Sequence, residues 1–267
     1  MKRQDWARLS QAERDAAYDN LAAAPDGAAR LEALRLDSAA ARAADPEGLD
    51  RPYGPAPRER VDFFPAGPRA PCLVFLHGGY WQRNAREDFA ALMEGVRAHG
   101  WAAALPGYTL APEASLTRIV EEVHEALDLV AARIAGPLVL SGWSAGAHLA
   151  AMALGHPRVV GGLGISGVYD LGAVRDTRLN QALRLTEAEV DRLSPLRLPP
   201  VPKPFTVAYG TRELPELVES SRALFAHREV AGAPGRLMAL QDHDHFSVLD
   251  ELRAPNGALT LAARMLA

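Results

Sequence analysis

The sequence predicts an α/β fold, a mostly parallel, doubly wound sheet with a helical N-terminal arm and a small cap insertion. Short apolar runs alternate with longer helix-periodic stretches from residue 71 onward, and such alternation calls for crossover helices between parallel strands. The apolar run at 137–140 passes into a helix-forming stretch through the small-residue turn Ser141-Gly142-Trp143-Ser144-Ala145-Gly146. With 267 residues, 48% of them hydrophobic and 23% charged, the chain can bury one large core.

Taken in order, residues 1–50 read as a helical arm. Ala7, Leu9, Ala12 and Ala16 recur at helical intervals, Pro25-Asp26-Gly27 interrupts them, and Ala28 to Ala44 resumes the pattern. This arm is either a solvated extension or a lid over a pocket. Arg51-Pro52-Tyr53-Gly54-Pro55-Ala56-Pro57 reads as a rigid, extended linker, and Arg60-Val61-Asp62-Phe63-Phe64 begins the sheet of an α/β domain over 51–267. Strands are expected at 71–76, 101–105, 137–141, 159–165, 205–209 and 236–240, with helices near 85–98, 115–135 and 145–154. The polar segment 167–200 interrupts the alternation and reads as a cap-like insertion.

Gly142-x-Ser144-x-Gly146 between a strand and a helix makes Ser144 a candidate nucleophile, because a serine at such a turn stands above the sheet on a strained backbone. The bland alternative is a turn of small residues. The upstream strand Leu73-Val74-Phe75-Leu76 runs into His77-Gly78-Gly79-Tyr80-Trp81. This is the place for a loop whose amides meet a developing oxyanion, with Gly79 and Tyr80 as donors and Ala145, next to the serine, as a third. The matching base is expected after the last strand, where Gln241-Asp242-His243-Asp244-His245-Phe246-Ser247 offers His245, with His243 as rival. The carboxylate that orients it should follow the preceding strand. Glu213 stands there, with Glu216, Asp242 and Asp244 as competitors. Trp81, Trp143 and Tyr169 are candidates to line a pocket for a flat substrate, or else pack in the core.

His77-Gly78-Gly79-Tyr80-Trp81, Gly107-Tyr108-Thr109-Leu110-Ala111-Pro112-Glu113 and Gly142-Trp143-Ser144-Ala145-Gly146-Ala147-His148-Leu149 resemble the kynurenine formamidase-like branch of the α/β-hydrolases, which borders the hormone-sensitive-lipase-like esterases. The likeness extends to Ser166-Gly167-Val168-Tyr169-Asp170-Leu171, Asn180 and Ser194-Pro195-Leu196 and spans most of residues 60–250. It implies a serine hydrolase that needs no cofactor and acts on aryl formamides such as N-formylkynurenine or on small esters. Ser144 would be the nucleophile, His245 the base, and Gly79, Tyr80 and Ala145 the oxyanion donors. One departure is Glu213, since the acid in this fold is more often aspartate; glutamate is an accepted alternative.

Other classes are less well served. A net charge of −4 supplies no basic field for nucleic acid. The single cysteine, Cys72, lies in an apolar strand and forms no internal disulfide. Met1-Lys2-Arg3-Gln4-Asp5-Trp6 opens a charged, alanine-rich stretch unlike a secretory signal, and no run approaches the ~20 apolar residues of a membrane helix, so a cytoplasmic location is expected by default. The expected partner is a small-molecule ester or aryl formamide; nothing points to an oligomer or excludes one. Two alternatives remain. Asp242-His243-Asp244-His245 could serve a metal-dependent hydrolase, although no second ligand cluster matches it, and the same fold could hold a noncatalytic ligand-binding protein.

Overall fold

A computed structural model of the chain describes residues 6–267. The strands β3 (Cys72–Leu76) and β5 (Leu138–Trp143) are buried along their full length. Strands with no solvated face need helices on both sides and parallel neighbours. They occupy the middle of an eight-stranded sheet with β1 (Arg51–Pro52), β2 (Arg60–Phe64), β4 (Ala102–Pro106), β6 (Val159–Ile165), β7 (Phe205–Gly210) and β8 (Gly235–Leu240). The order is β1-β2-β4-β3-β5-β6-β7-β8. The β1–β2 and β2–β4 pairs are antiparallel, and all the others are parallel.

The pleat sends alternate side chains to two cores. Cys72, Val74 and Leu76 join one apolar cluster, and Leu73 and Phe75 the other. Over the first lies the long helix Leu116–Arg133, started by Ser115, whose hydroxyl accepts from the Arg118 amide at 3.2 Å. Its buried Leu116, Ile119, Val123, Ala126, Leu127 and Val130 repeat at intervals of three or four. The helix Ala145–Ala153 packs on the same face.

The N-terminal arm comprises α1 (Gln11–Ala16), α2 (Asn20–Ala23) and α3 (Gly27–Ala44). Ser10 and Glu13 form a capping box at the start of α1. Far from being a solvated extension, α3 belongs to the helical layer of the second core: Leu31, Leu34 and Ala41 pack against it. The Ser38 hydroxyl donates to the Asp88 carbonyl at 2.9 Å and accepts from the Ala91 amide at 3.1 Å. Arg42 reaches the fully buried Asp62 of β2 at 2.8 Å, and Arg86 holds the other oxygen of that carboxylate at 3.2 Å.

Several elements depart from expectation. The helix expected near 85–98 is wound as a 3₁₀ stretch, Arg86–Met93, followed by one α turn, Glu94–Arg97. Phe89 to Met93 are all buried there, with Phe89, Ala90, Leu92 and Met93 packed in the second core. The extended stretch after Asp50 contributes the two-residue edge strand β1, which tolerates Pro52 because an edge leaves its missing N–H unneeded. By contrast, the cap-like segment 167–200 keeps to short helices, Leu171–Arg175, Asn180–Leu183 and Glu187–Leu193, as its short polar runs suggest. Residues 1–5, on which the reading of no secretory signal partly rests, lie outside the described residues. Among the described residues no helix is long and apolar enough to cross a membrane.

Gly146 marks the tightest approach of the Ala145–Ala153 helix to the sheet: a Cβ there would lie 1.9 Å from the Leu76 carbonyl oxygen and 2.7 Å from that of His77. Both obstacles are backbone. Gly146→Ala is expected to destabilise the fold by about 3 kcal/mol or more, read as a lowered thermal midpoint or loss of folded protein.

Candidate active site

The turn from β5 into the Ala145–Ala153 helix holds Ser144 at φ 57°, ψ −118°. A non-glycine residue in so sparsely populated a conformation costs on the order of 1–3 kcal/mol and persists only where its surroundings impose it. Here the Ser144 amide donates to the Ile165 carbonyl of β6 at 2.8 Å.

Two further strand ends converge on this turn. Glu213 stands after β7 and His245 on the loop after β8, with Nδ1 of the imidazole 3.0 Å from Oε2 of the carboxylate. Both side chains are buried, at 5% and 0% exposure. The second carboxylate oxygen accepts from the Ser166 hydroxyl at 2.6 Å and from the Gly210 amide at 2.5 Å. Facing a carboxylate, Nδ1 carries the ring proton, which leaves Nε2 as the basic nitrogen. Trp143 braces the loop: its indole N–H donates to the His245 carbonyl at 2.8 Å, and its ring lies 4.9 Å from the imidazole. Ser144, His245 and Trp143 share the wall of one cavity of about 160 Å³.

The loop after β3 closes another side of that cavity. Gly79 has φ 118°, and Tyr80 and Trp81 follow at 53° and 58°. Gly78 abuts the serine turn, for a Cβ on it would lie 3.0 Å from the Ser144 Cβ. Among the described residues, the amides of Gly79, Tyr80 and Ala145 donate to no backbone or side-chain acceptor. Gly79 and Tyr80 lie on the cavity wall; Ala145 does not, but it opens the helix beside Ser144, where first-turn amides lack intrahelical partners. Opposite, the arm contributes Tyr18, Asp19, Asn20 and Leu31, and the cap-like segment contributes Thr177, Arg178 and Leu179. Arg178 joins these two elements through Asp19 at 2.8 Å.

The chain is similar to known proteins over most of its length. The family described as BD-FAE matches residues 64–157, from the end of β2 past the helix that follows Ser144. Kynurenine formamidase of Danio rerio is 29% identical over 96% of this chain and 96% of its own length. That of Salmo salar is 30% identical over 83% of this chain and 82% of its own length. The chain belongs to the kynurenine formamidase family. The crystal structure of a candidate thioesterase from Silicibacter sp. TM1040 superposes with a TM-score of 0.88 at 28% identity, over 94% of this chain and 99% of the other. The protein is thus an enzyme, a hydrolase with the α/β-hydrolase fold.

In this kynurenine formamidase family member, the rivals of His245 and Glu213 stand apart from the Glu213–His245 pair. His243 meets the Ser247 carbonyl at 3.0 Å through Nδ1 and Glu251 at 3.5 Å through Nε2. Asp244 accepts from the Phe246 and Ser247 amides at 2.9 and 2.8 Å, and Glu216 sits in the first turn of the helix Pro215–Val230. The run Asp242–His245 therefore turns its side chains to separate partners. Among the described residues no group of three His, Cys, Asp or Glu is placed to hold a metal ion.

Two pocket assignments are also corrected. Trp81 is fully buried, edge-on to His148 at 5.0 Å, and away from the cavity. Tyr169 is likewise fully buried, with its ring against Gly164 and Gly167. Both aromatics are wholly enclosed by core neighbours, so neither presents a face to the cavity; Trp143 does. His77 and His148 are buried and held neutral, pushed down to about 3 and about 4 by loss of hydration. Their N–H groups are spent on the carbonyls of Gly78 at 2.8 Å and Leu193 at 2.6 Å. Ser166 enters the sequence reading only as part of the likeness at 166–171 and Asn20 not at all, since their partners lie 47 and 60 positions away.

Burial raises the Asp244 carboxyl, but the Ser247 and Phe246 amides outweigh it and hold the group below its usual value. A lowered folded-state value contributes stability above the unfolded value, about 4, that is lost as pH falls through the folded one. Asp244→Ala is therefore expected to lower the thermal midpoint at pH 7, and the gap from wild type should narrow in melts below about pH 4.

Proposed function

We propose that the protein is a serine hydrolase that cleaves an aryl formamide of the N-formylkynurenine type, or a small carboxylic ester, through an acyl-enzyme. The observation that carries this is the buried Glu213–His245 pair, 3.0 Å apart, whose imidazole shares one cavity wall with Ser144. The Ser144 Oγ attacks the carbonyl carbon as its proton passes to Nε2 of His245. Negative charge then gathers on the carbonyl oxygen, where the amides of Gly79, Tyr80 and Ala145 serve as donors, each worth roughly 3–4 kcal/mol in a dry site. His245 hands the proton to the departing nitrogen or oxygen, the C–N or C–O bond breaks, and the acyl group stays on Ser144. A water, deprotonated by the same imidazole, releases the carboxylic acid and restores the hydroxyl.

The substrate class is supported by the formamidases of Danio rerio and Salmo salar, by the small cavity, and by the indole of Trp143 on its wall. We further assign the arm and the segment 167–200 as the outer walls that fit the leaving group, supported by the reach of Asn20 and Leu179 to the cavity.

Ser144→Ala should lower turnover of N-formylkynurenine and aryl esters by at least a thousandfold, abolish fluorophosphonate labelling and leave the melting curve near that of wild type. Wild-type rates in this variant would overturn the mechanism. Ser166→Ala leaves one Glu213 oxygen with a single donor and should lower kcat about tenfold with KM changed less than threefold, measured on the same substrates.

A further inference from the structure

Asn20 opens α2 and is part of the wall shared with Ser144 and His245, yet it is 6% exposed. Its neighbours fix the orientation of its amide. The Tyr80 hydroxyl donates to the Tyr18 carbonyl at 2.8 Å, and a carbonyl can only accept. The phenol oxygen is left as an acceptor, which the Asn20 Nδ2 group fills at 2.9 Å. Oδ1 must then be directed away from Tyr80, and among the described residues it has no hydrogen-bond partner. A buried acceptor without a donor destabilises the fold, and this one belongs to a residue of the cavity wall, where a bound molecule can supply the donor.

We propose that Asn20 Oδ1 accepts the N–H of the scissile amide, so that the cavity selects secondary aryl formamides over the corresponding esters. This deepens the serine-hydrolase proposal above and rests on it. An anilide nitrogen offers one hydrogen and, once the carbonyl carbon becomes tetrahedral, one lone pair. His245 protonates the lone pair while the original hydrogen, still on nitrogen, is donated to Oδ1, and the neutral amine departs carrying both hydrogens. An ester oxygen has no hydrogen; it turns lone pairs toward Oδ1 and leaves that acceptor unpaired. Sites built around a substrate N–H discriminate strongly against analogues without one. Tyr80 anchors Asn20 through its side chain and carries an amide of the oxyanion loop, so recognition of the leaving group and of the carbonyl share one support.

The test compares formanilide with phenyl formate, which share acyl group and ring, on the full-length protein. The formamide-to-ester ratio of kcat/KM should fall at least tenfold in Asn20→Leu and Asn20→Ala and stay within threefold of wild type in Asn20→Asp, which retains an acceptor. Disturbance of the Tyr80 loop acts on both substrates and cancels in the ratio. The wild-type protein supplies a readout that needs no variant: N-methylformanilide should compete with ester turnover at least tenfold more weakly than formanilide. An unchanged ratio in the Leu and Ala variants, or equal competition by the two amides, overturns the role of Asn20 and leaves the serine mechanism standing. Failure of the wild type to turn over either substrate or to take a fluorophosphonate at Ser144 overturns the mechanism itself.

Discussion

A carboxylate withdrawn from water must be satisfied by its surroundings or it destabilises the fold by several kcal/mol. Glu213 meets that demand with donors drawn from three places: the Ser166 hydroxyl at the end of β6, the Gly210 amide at the end of β7, and the His245 imidazole on the loop after β8. These contacts lock successive strand ends to one another at the level of Ser144. Trp143 adds a tie from β5 to the same loop by holding the His245 carbonyl. The geometry around the serine is therefore a by-product of one buried charge and its donors. A parallel sheet suits this arrangement because its strand ends emerge side by side at one edge.

The arm is held in two distinct ways. Its long helix is fastened to the core by Leu31 and Leu34, by the Ser38 hydroxyl and by the Arg42–Asp62–Arg86 cluster. Its first two helices are held through polar contacts, with Arg178 bound to Asp15 and Asp19, and Asn20 and the Tyr18 carbonyl bound to Tyr80. One part of the arm thus belongs to the second core, and the other edges the cavity with Tyr18 packed in the first.

Much of this was legible before any coordinates. The buried strands β3 and β5 are continuous apolar runs, and Leu116–Arg133 carries a clear helical period, because for each of these the local pattern and the tertiary environment agree. Ser144, Glu213 and His245 could be named together because topology fixes the strand ends on which they sit. Trp81 and Tyr169 were misplaced since an aromatic ring beside a motif looks the same whether it faces a cavity or the core. The 3₁₀ winding of Arg86–Met93 and the two-residue β1 arise from packing against partners remote in sequence. Asn20 sits in a short, alanine-rich stretch, and its meaning depends wholly on a phenol 60 residues later.

Of the four tryptophans, Trp143 alone lines the cavity, while Trp81 and Trp101 are packed in the interior. Its indole touches both the imidazole of His245 and the ring of Phe246. The cleft therefore contains its own fluorophore: any guest that settles beside Ser144 alters the emission of a chromophore already in place, and occupancy can be followed by light without attaching a dye.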